Sequence, residues 1–355
     1  MEKAARLFPG VQNNVKYLHQ DIQEVPMPNQ QIQLAAKILR RGGLVAFPTE
    51  TVYGLGADAQ NELAVRRIFA VKGRPLSHPL IVHVANLASA RDWATELSND
   101  ALALAEAFWP GPLTLIVRRS QRAIDVVTGG QPTVALRVPA GALAQDLLHA
   151  FGGGIAAPSA NRFGRVSPTA AEHVVADLNG EVDAIIDGGQ CSIGIESTIV
   201  DTTSGSPAIL RPGAVPREAL DSVLGKVVPV RAQAAIRAPG MHSTHYAPRA
   251  GVMLLARSEI PARAQAETQR GQRVVVLAPG ALPVPPGVER IDIPEDLPAL
   301  ARVLYALLRE VDLRGFTLAL IELPSRAGLG LAVHDRLSRA SGRLSTAPVS
   351  EDESR

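Results

Sequence analysis

The stretch that decides the fold runs from residue 44 to residue 83 and reads LVAFPTETVYGLGADAQNELAVRRIFAVKGRPLSHPLIVH. It opens with an apolar run at 44–47, which predicts a buried strand that stops at Pro48. A polar turn follows, then a helical stretch, then a loop that carries two cations and a histidine. A second apolar run at 80–84 has His83 embedded in it. The stretch therefore predicts two buried strands with polar side chains gathered at their ends.

Composition bounds the kind of protein this is. The length of 355 residues predicts two domains, although one large α/β domain would also fit, and a composition of 46% hydrophobic and 20% charged residues predicts a well-buried core. A net charge of +2 argues against a surface covered in nucleic-acid-binding charge, although it leaves room for a local basic patch. Cys191 is the sole cysteine, which excludes internal disulfides, and we expect it to be a small buried residue. Without a signal peptide or a membrane-length apolar run, the sequence predicts a cytoplasmic protein.

Helices and strands interleave in the first part of the chain without strict βαβ regularity. This pattern predicts an α/β fold with a twisted mixed sheet and flanking helices over residues 28–213. Thr169 and Glu172 are spaced as a capping box and predict the start of a helix at 169–178. The other helices are predicted at 30–40, 61–71, 86–93, 99–108 and 141–150, and the strands at 44–47, 80–84, 113–118, 133–138, 154–157, 183–187, 197–202 and 208–211.

Residues 214–250 change character and are interpreted as a linker in which function resides, because long loops in compact proteins are usually functional. The pattern restarts over 251–342 as a small Rossmann-like α/β domain. Residues 343–355 form a polar tail, and residues 1–27 an irregular lead-in with one strand near Val15–His19. In the second domain, strands are predicted at 252–256, 273–278, 290–293 and 317–323, and helices at 258–270, 296–310 and 329–340.

Neither of two common nucleotide-binding motifs fits this sequence. Residues 54–59, GLGADA, nearly spell a dinucleotide fingerprint, but the polar turn separates the glycines from the strand, and no acidic residue ends a second strand. No P-loop is present, so any ATP must be held by other means. The loop Lys72-Gly73-Arg74-Pro75 suits a polyphosphate, because lysine acts as a point charge and arginine as a bidentate fork. A solvated charged turn is the alternative.

Two polar residues interrupt apolar strands. In residues 133–139, TVALRVP, alternation places Thr133, Ala135 and Arg137 on one face. A guanidinium there must be paired or must face a cavity, because burial of a lone charge is prohibitive. Arg137 therefore predicts either a structural salt bridge or a carboxylate site. For His83 the alternative to a functional role is an ordinary core histidine.

The segment 157–169 ends a strand with small polar residues and leads to a helix N-terminus, where phosphates bind well. Simple capping is the alternative role for Ser167. His242 and His245 have a metal-like spacing, but no carboxylate or cysteine lies near them in the sequence, so we do not expect a zinc site.

Seven short segments together resemble the YrdC/Sua5 family of threonylcarbamoyl-AMP synthases: TETVY, KGRP, APSAN, GRVSPT, ESTIVD, ILRPG and HSTHYAP. The resemblance implies a threonine pocket formed by Thr51, His83, Arg137, Ala157 and Ser197. It also implies that the 214–250 linker lies across the site as a lid. His78 stands where the family more often has asparagine. The implied ATP contacts are Lys72, Arg74, His78, Thr133, Ser159, Asn161, Ser167, Arg211 and Tyr246.

The reaction that this resemblance implies joins L-threonine, bicarbonate and ATP into threonylcarbamoyl-AMP and pyrophosphate, for t6A modification at position 37 of tRNA. Lys72 and Arg74 would be the catalytic cations, and Mg²⁺ would be held mainly by the ATP phosphates rather than by protein ligands. A downstream tRNA threonylcarbamoyl-transferase machinery would be the partner, with direct tRNA contact not required and no membrane association.

Two other functions were considered. The first is an RNA-binding module without turnover, in which eight cations form one basic concavity: Arg66, Arg67, Lys72, Arg74, Arg118, Arg119, Arg162 and Arg165. The second is a carbamoyl-transfer maturation factor, although such chains add acylphosphatase-like and zinc-finger sections that have no counterpart in this sequence. The threonine-pocket residues favour the synthase.

Overall fold

The computed structural model describes residues 28–231, 236–240 and 246–342. The predicted strand near Val15–His19, the pair His242 and His245, and the polar tail at 343–355 lie outside the described residues.

The first domain alternates short strands and helices along the chain. Its helices are α1 (Pro28–Arg40), α2 (Glu62–Lys72), α3 (Leu87–Arg91), α4 (Asn99–Phe108), α5 (Asp125–Thr128), α6 (Ala142–Phe151), α7 (Ala171–Leu178) and α8 (Arg217–Leu224). Its strands are β1 (Val45–Phe47), β2 (Gly54–Asp58), β3 (Ile81–His83), β4 (Leu113–Arg118), β5 (Thr133–Arg137), β6 (Ile155–Ala156), β7 (Ala184–Ile185), β8 (Thr198–Asp201) and β9 (Ala208–Arg211).

These strands form one nine-stranded sheet in the order β7-β1-β2-β6-β3-β5-β4-β8-β9. Parallel pairs (β1 with β7, β3 with β5, β4 with β8) are mixed with antiparallel ones, so the predicted mixed sheet is confirmed. Both faces of the sheet are covered. In β1, Leu44 and Ala46 enter one apolar cluster whereas Val45 and Phe47 enter another, as the two-residue period of a strand requires.

Strand β2 was missed by the sequence reasoning, which assigned no strand to residues 54–59 after the polar turn. Its glycines are needed for close packing between strands. A Cβ on Gly56 would lie 2.8 Å from both the Ile155 and the Phe47 side chains, so a larger residue does not fit between them. The near-fingerprint GLGADA is therefore a strand, antiparallel to β1, and does not open a helix as a dinucleotide site does.

The predicted capping box at the start of α7 is wrong. The helix begins at Ala171, and its preceding residue, Ala170, has no side chain that could cap it. The Thr169 hydroxyl instead lies 3.4 Å from the ring of His173. Spacing alone suggested the cap, but the chain enters the helix two residues later than that spacing assumes.

The second domain has four parallel strands in the order β10-β13-β11-β12, and the predicted Rossmann-like α/β unit is confirmed. Its apolar core extends into the first domain, because Val52, Val166 and Ile195 belong to the same cluster as its own Tyr305 and Val333. Its elements are β10 (Gly251–Leu255), a 3-10 turn (Arg257–Glu259), α9 (Ile260–Gln269), β11 (Val274–Ala278), β12 (Glu289–Asp292), α10 (Leu297–Leu313), β13 (Leu318–Glu322) and α11 (Gly330–Ser341).

The predicted linker at 214–250 starts with a packed helix. Leu220 of α8 and the flanking Val215 and Val228 lie in the main core of the first domain. A bridge between Ile209 and Val230 extends the sheet further. Residues 215–230 thus pack on the core and on the sheet edge of the first domain. None of the helices that the structure describes is long and apolar enough to cross a membrane.

Candidate functional site

A cavity lies where the ends of the central strands meet the segment that joins the two domains. It collects residues that are far apart in sequence, from the polar turn after β1 to Tyr246. Nine of the predicted site residues line it: Thr51, Arg74, His83, Arg137, Ala157, Ser159, Ser197, Arg211 and Tyr246.

Arg137 lies at the floor of this cavity and is only 3% exposed. Its Nη1 donates to Thr51 Oγ1 at 2.9 Å, and its Nη2 lies 2.7 Å from Glu50 Oε1. The Nη2 contact is close but poorly aligned for a hydrogen bond, so it acts as an ion pair. Burial raises the pKa of Glu50, but the Arg137 charge, together with close polar contacts from Arg137 and from the backbone, lowers the pKa overall. Arg137 is therefore salt-bridged to Glu50, as the first sequence alternative predicts, and it also lines the cavity.

His83 stands beside Arg137 in the parallel register of β3 and β5. Burial, followed by the Arg137 charge, lowers the pKa of this imidazole to about 3, so it is neutral at physiological pH. The ring packs edge-on against Phe47, with centroids 6.2 Å apart. Its Nδ1 has no hydrogen-bond partner in the part of the chain that the structure describes. A neutral imidazole facing a cavity is suited to hydrogen bonding with a ligand.

The polar turn after β1 is fixed by Thr49, which the sequence reasoning did not select. Its Oγ1 accepts hydrogen bonds from the backbone N–H groups of Thr51 and Val52, both at 3.2 Å, and donates to the Val52 carbonyl at 2.7 Å. This side-chain-to-backbone turn presents the Thr51 hydroxyl to Arg137. The sequence feature that could have revealed this role is the presence of two threonines, Thr49 and Thr51, two residues apart in the turn.

Lys72 does not line the cavity. Its Nζ donates to the backbone carbonyls of Ser159 and Asn161, and burial, then the Arg74 charge, holds the pKa of the ammonium well below its usual value. The lysine therefore organises the 157–161 loop from beneath. Asn161 shapes the next turn, because its Nδ2 donates to the carbonyls of Arg162 and Arg165 at 2.9 Å each.

Arg74 does reach the cavity wall. Its Nη2 donates to the Pro79 carbonyl at 2.9 Å, and its guanidinium lies 5.7 Å from the centre of the Phe163 ring. Burial lowers its pKa to about 10, so it remains charged at neutral pH. His78 packs on the other side of this cluster, 5.4 Å from the same ring. A fixed guanidinium of this kind can bind an anionic ligand without reorganising.

Arg211 and Ser197 form the opposite wall. Nη2 of Arg211 donates to the Ser197 carbonyl at 2.8 Å and to its Oγ at 3.2 Å. Nη1 of Arg211 donates to the Pro239 carbonyl at 3.1 Å, which ties the interdomain segment to β9. The Ser197 hydroxyl also lies 2.7 Å from Thr114 Oγ1. A hydroxyl held on two sides in this way has a defined direction.

Glu196, next to Ser197, receives three hydrogen bonds. Ser167 Oγ donates to Oε1 at 2.7 Å, whereas Tyr305 Oη and Arg336 Nε donate to Oε2 at 2.8 and 2.7 Å. Burial raises the pKa of this carboxyl, but Arg336 and Arg211 outweigh that effect and lower the pKa to about 2. Ser167 is thus engaged with Glu196 and caps no helix. The sequence reasoning missed Glu196, Tyr305 and Arg336 as site residues.

Tyr246 closes the cavity from above. It is buried and adopts a φ of +61°, which is unusual for a residue other than glycine. Its ring stacks on Tyr305 with centroids 5.7 Å apart, and the Arg336 guanidinium lies 5.0 Å from its centre. Both of these neighbours belong to the second domain.

Five predicted residues lie outside the cavity lining. Lys72, Asn161 and Ser167 act on lining residues or loops as described above, and His78 packs against Phe163, the ring that Arg74 also contacts. Thr133 is buried on the same face of β5 as Arg137, two pleats away, so the predicted alternation is confirmed. No group of three or more His, Cys, Asp or Glu side chains that could hold a metal is found in the described ranges.

Most of the cations that were predicted to form a basic concavity for RNA are paired with carboxylates or buried in the structure. Arg66 pairs with Glu62, Arg67 with Asp183, Arg119 with Asp125 and Arg162 with Glu181. Lys72 and Arg74 are buried. Cys191 is buried too, and burial raises the pKa of its thiol to about 12, so a nucleophilic role is not supported.

Comparisons with known proteins match both domains. A family model named for Sua5, YciO and YrdC and described as telomere recombination matches residues 37–213. A second, described as threonylcarbamoyl-AMP synthase, C-terminal domain, matches residues 215–342.

Relatives match over nearly their whole length. The threonylcarbamoyl-AMP synthase of Pyrococcus abyssi is 42% identical, over 88% of this chain and 94% of that protein. That of Bacillus subtilis is 39% identical, over 90% and 95%, and that of Schizosaccharomyces pombe 35%, over 89% and 90%. The crystal structure of P. abyssi Sua5 complexed with L-threonine superposes with a TM-score of 0.84 at 42% identity, covering 88% of this chain and 95% of that one. Matched in both domains and built around the same kind of cavity that the sequence motifs predict, this chain belongs to the Sua5-type threonylcarbamoyl-AMP synthase family.

Proposed function

We propose that this chain makes threonylcarbamoyl-AMP and pyrophosphate from L-threonine, bicarbonate and ATP. The observation that carries the proposal is the cavity floor, where the buried Arg137 guanidinium, the Thr51 hydroxyl and the neutral His83 imidazole converge. These groups match the carboxylate, hydroxyl and amine of a small hydroxy-amino acid. A relative of known structure with this architecture was crystallised with L-threonine.

Arg137 would bind the threonine carboxylate. Glu50 already holds one edge of the guanidinium, and Thr51 a second, so the side chain does not have to be ordered when the ligand arrives. Preorganisation of this kind lowers the entropic cost of binding. The Ser197 hydroxyl, fixed between Thr114 and Arg211, would contact the substrate from the opposite wall.

The nucleotide would lie towards Arg74 and Arg211, the two guanidinium groups besides Arg137 that line the cavity. The threonine nitrogen attacks the carbon of bicarbonate-derived CO₂ and loses a proton, which gives a carbamate. A carbamate oxygen then attacks the α-phosphorus of ATP, the bond to the bridging oxygen breaks, and pyrophosphate leaves. Cations fixed around the phosphates would stabilise the negative charge of this transition state.

The two cations that the sequence analysis named as catalytic, Arg74 and Lys72, have different roles in this proposal. Arg74 is placed to contact phosphate directly, whereas Lys72 would act by holding the carbonyls of Ser159 and Asn161 and thereby the loop that faces the nucleotide. Thr133, His78, Asn161 and Ser167 would support the nucleotide from the same side.

Among the described residues that line the cavity, the charged and hydroxyl side chains include a single carboxylate, Glu196, which is already engaged by three donors. A Mg²⁺ ion, which prefers oxygen ligands, would therefore arrive on the triphosphate as part of the ATP substrate and neutralise its charge. We further propose that the reaction takes place in the cytoplasm and that a tRNA threonylcarbamoyl-transferase consumes the product, because a mixed anhydride of this type is an activated acyl donor.

The test is pyrophosphate release from Mg-ATP, with L-threonine and bicarbonate each left out in turn. We expect pyrophosphate rather than orthophosphate, and only when both co-substrates are present. L-Serine serves as the matched control substrate, because it lacks one methyl group and should react with lower kcat/KM. Equal turnover without threonine would overturn the proposal, and salt-sensitive RNA binding without turnover would favour the RNA-binding alternative.

A further inference from the structure

The second domain contributes side chains that reach the wall of the cavity. Arg336 of α11 is 0% exposed, although it is a charged residue. Its Nε donates to Glu196 of the first domain at 2.7 Å, and Asp335 pairs with its Nη1. Burial of an arginine this deep requires such partners, because an uncompensated charge would be prohibitive.

The same guanidinium also faces the lid residue. Its central carbon lies 5.0 Å from the centre of the Tyr246 ring, and its Nη2 has no hydrogen-bond partner in the described part of the chain. A cation over an aromatic face is attracted by the ring quadrupole, more strongly where water is excluded. Tyr305, which hydrogen bonds to Glu196 at 2.8 Å, stacks on that ring from the second domain.

Arg336 and Tyr305 thus form one buried cluster that holds two residues of the cavity, Glu196 and Tyr246. Glu196 is the neighbour of Ser197 and accepts the hydrogen bond of Ser167, so its position sets that of one cavity wall. Tyr246 is the roof. We propose that Arg336 and Tyr305 are positioning residues for the reaction, which fix Glu196 and Tyr246 simultaneously and so make the second domain a structural part of the active site. This inference rests on the proposed function for its kinetic consequences but not for its geometry.

The chain offers a matched control for this inference. Arg309 of α10 also crosses between the domains, where its Nη2 lies 2.6 Å from Asp177 Oδ2. The same nitrogen also donates to the Val166 carbonyl. Replacing Arg309 by lysine therefore perturbs the interdomain contact by a similar chemical change, but leaves the hydrogen bonds from Arg336 and Tyr305 to Glu196 in place.

The experiment compares Arg336→Lys with Arg309→Lys in the full chain. Lysine keeps the charge but has neither the planar group over the ring nor the fork of donors. We expect Arg336→Lys to lower kcat/KM for ATP by about tenfold or more per folded molecule, and Arg309→Lys to change it by less than about threefold. Equal losses in the two variants would overturn the proposal, because they would mean that Arg336 only holds the domains together.

Tyr305→Phe covers the case in which Arg336→Lys does not fold. It removes only the hydroxyl that reaches Glu196 and keeps the ring that stacks on Tyr246. We expect a loss of about three- to tenfold in kcat, with the unfolding midpoint close to that of the wild type. Wild-type kinetics in Tyr305→Phe would contradict the positioning role of this hydroxyl.

A readout independent of turnover separates this inference from the proposed function. Tyr246 is 1% exposed, so tetranitromethane should nitrate it slowly in the wild type and in Arg309→Lys, and faster in Arg336→Lys, as measured by mass spectrometry of the peptide. Wild-type protein that releases no pyrophosphate would reject the proposed function alone. Tyr246 that stays protected in folded Arg336→Lys would reject the inference alone.

Discussion

The floor and the roof of the cavity are built in different ways. The floor consists of Arg137 and His83, which lie at the ends of the neighbouring strands β5 and β3, and of Thr51, which lies in the turn after β1. The roof consists of Tyr246, held by Tyr305 and Arg336 from the second domain. The floor is held in place by the pairing of backbone strands, which forms together with the rest of the sheet. The roof is fixed by a few side chains across a domain boundary, so it can be altered without disturbing the sheet.

The largest expected effect is at the floor. Arg137→Ala should weaken threonine binding by about 2–4 kcal/mol, because a desolvated charge-assisted contact is lost. It should also destabilise the fold by about 3–5 kcal/mol, because Glu50 is left buried and unpaired. Isothermal titration and urea unfolding measure the two quantities separately.

A second variant separates binding from stability at the same site. In Glu50→Gln with Arg137→Met, the unpaired charge is removed, and we expect most of the stability to return while threonine binding stays weak. If threonine binding returns together with stability, Arg137 is structural only, and the floor differs from our description.

Acid should act on the two regions in different pH windows. The folded pKa of His83 is about 3, below its unfolded value of 6.5, so its contribution to stability is complete above pH 6.5 and is lost as pH falls towards 3. The corresponding window for Glu196 runs from 4.5 down to about 2. Between pH 6.5 and 4.5 the floor should therefore weaken first, with His173, whose burial lowers its pKa to about 4, contributing alongside.

The measurement is the free energy of unfolding in urea at a series of pH values. His83→Gln should flatten the slope between pH 6.5 and 4.5 by up to about 1.4 kcal/mol per pH unit, the value for one proton. Glu196→Gln should be less stable at neutral pH, yet less sensitive to acid below pH 4.5. An unchanged slope in His83→Gln would mean that this imidazole is charged in the folded protein.

The smallest expected effect on stability is at the roof. Gly240 has a φ of +81°, and a Cβ there would lie 2.5 Å from the Tyr246 hydroxyl oxygen and 3.0 Å from Arg211 Nη1. Gly271 has a similar φ of +82° with nothing within 4 Å, so it is the matched control. Alanine at either position should cost about 1 kcal/mol of stability through backbone strain.

Only Gly240→Ala should impair turnover, and we expect kcat/KM for ATP to fall by about tenfold as Tyr246 and Arg211 are pushed apart. Steady-state kinetics of the two alanine variants, at matched folded fraction, decide the point. Equal activity in both would show that the roof tolerates displacement and that the cavity functions without a fixed Tyr246.

The contrast between floor and roof also explains what could be predicted from the sequence. Strand alternation placed Arg137 on the face of Thr133, and apolar runs located most of the central strands, because a two-residue period is a local property. Strand β2 was missed because its glycines, selected for close packing beside Phe47 and Ile155, look like a turn. The packed helix α8 was interpreted as part of a linker because its sequence shows little sign of a core-facing side, since only Leu220 of its residues is buried.

The site residues Glu196, Tyr305 and Arg336 were missed for a different reason. Glu196 is separated from Tyr305 by 109 residues and from Arg336 by 140, and no local pattern joins them. Their pairing is dictated by how one domain packs on the other. A buried cation requires a counter-ion, so Arg137 implied a partner such as Glu50, but chemistry alone did not identify which carboxylate it would be. The family resemblance selected ligand-facing residues and passed over those that hold them.

The Glu196 cluster constrains how this chain can be recombined. Adjacent residues serve different purposes there, since Ser197 faces the cavity while Glu196 is bound by Arg336 and Tyr305 of the other domain. A chimera that exchanged the second domain for that of a distant relative would bring a foreign pair of donors to this carboxylate, and the mismatch would disturb the adjacent Ser197, which lines the cavity. Successful domain exchange should therefore require Ser167, Glu196, Tyr305 and Arg336 to be transplanted as one set.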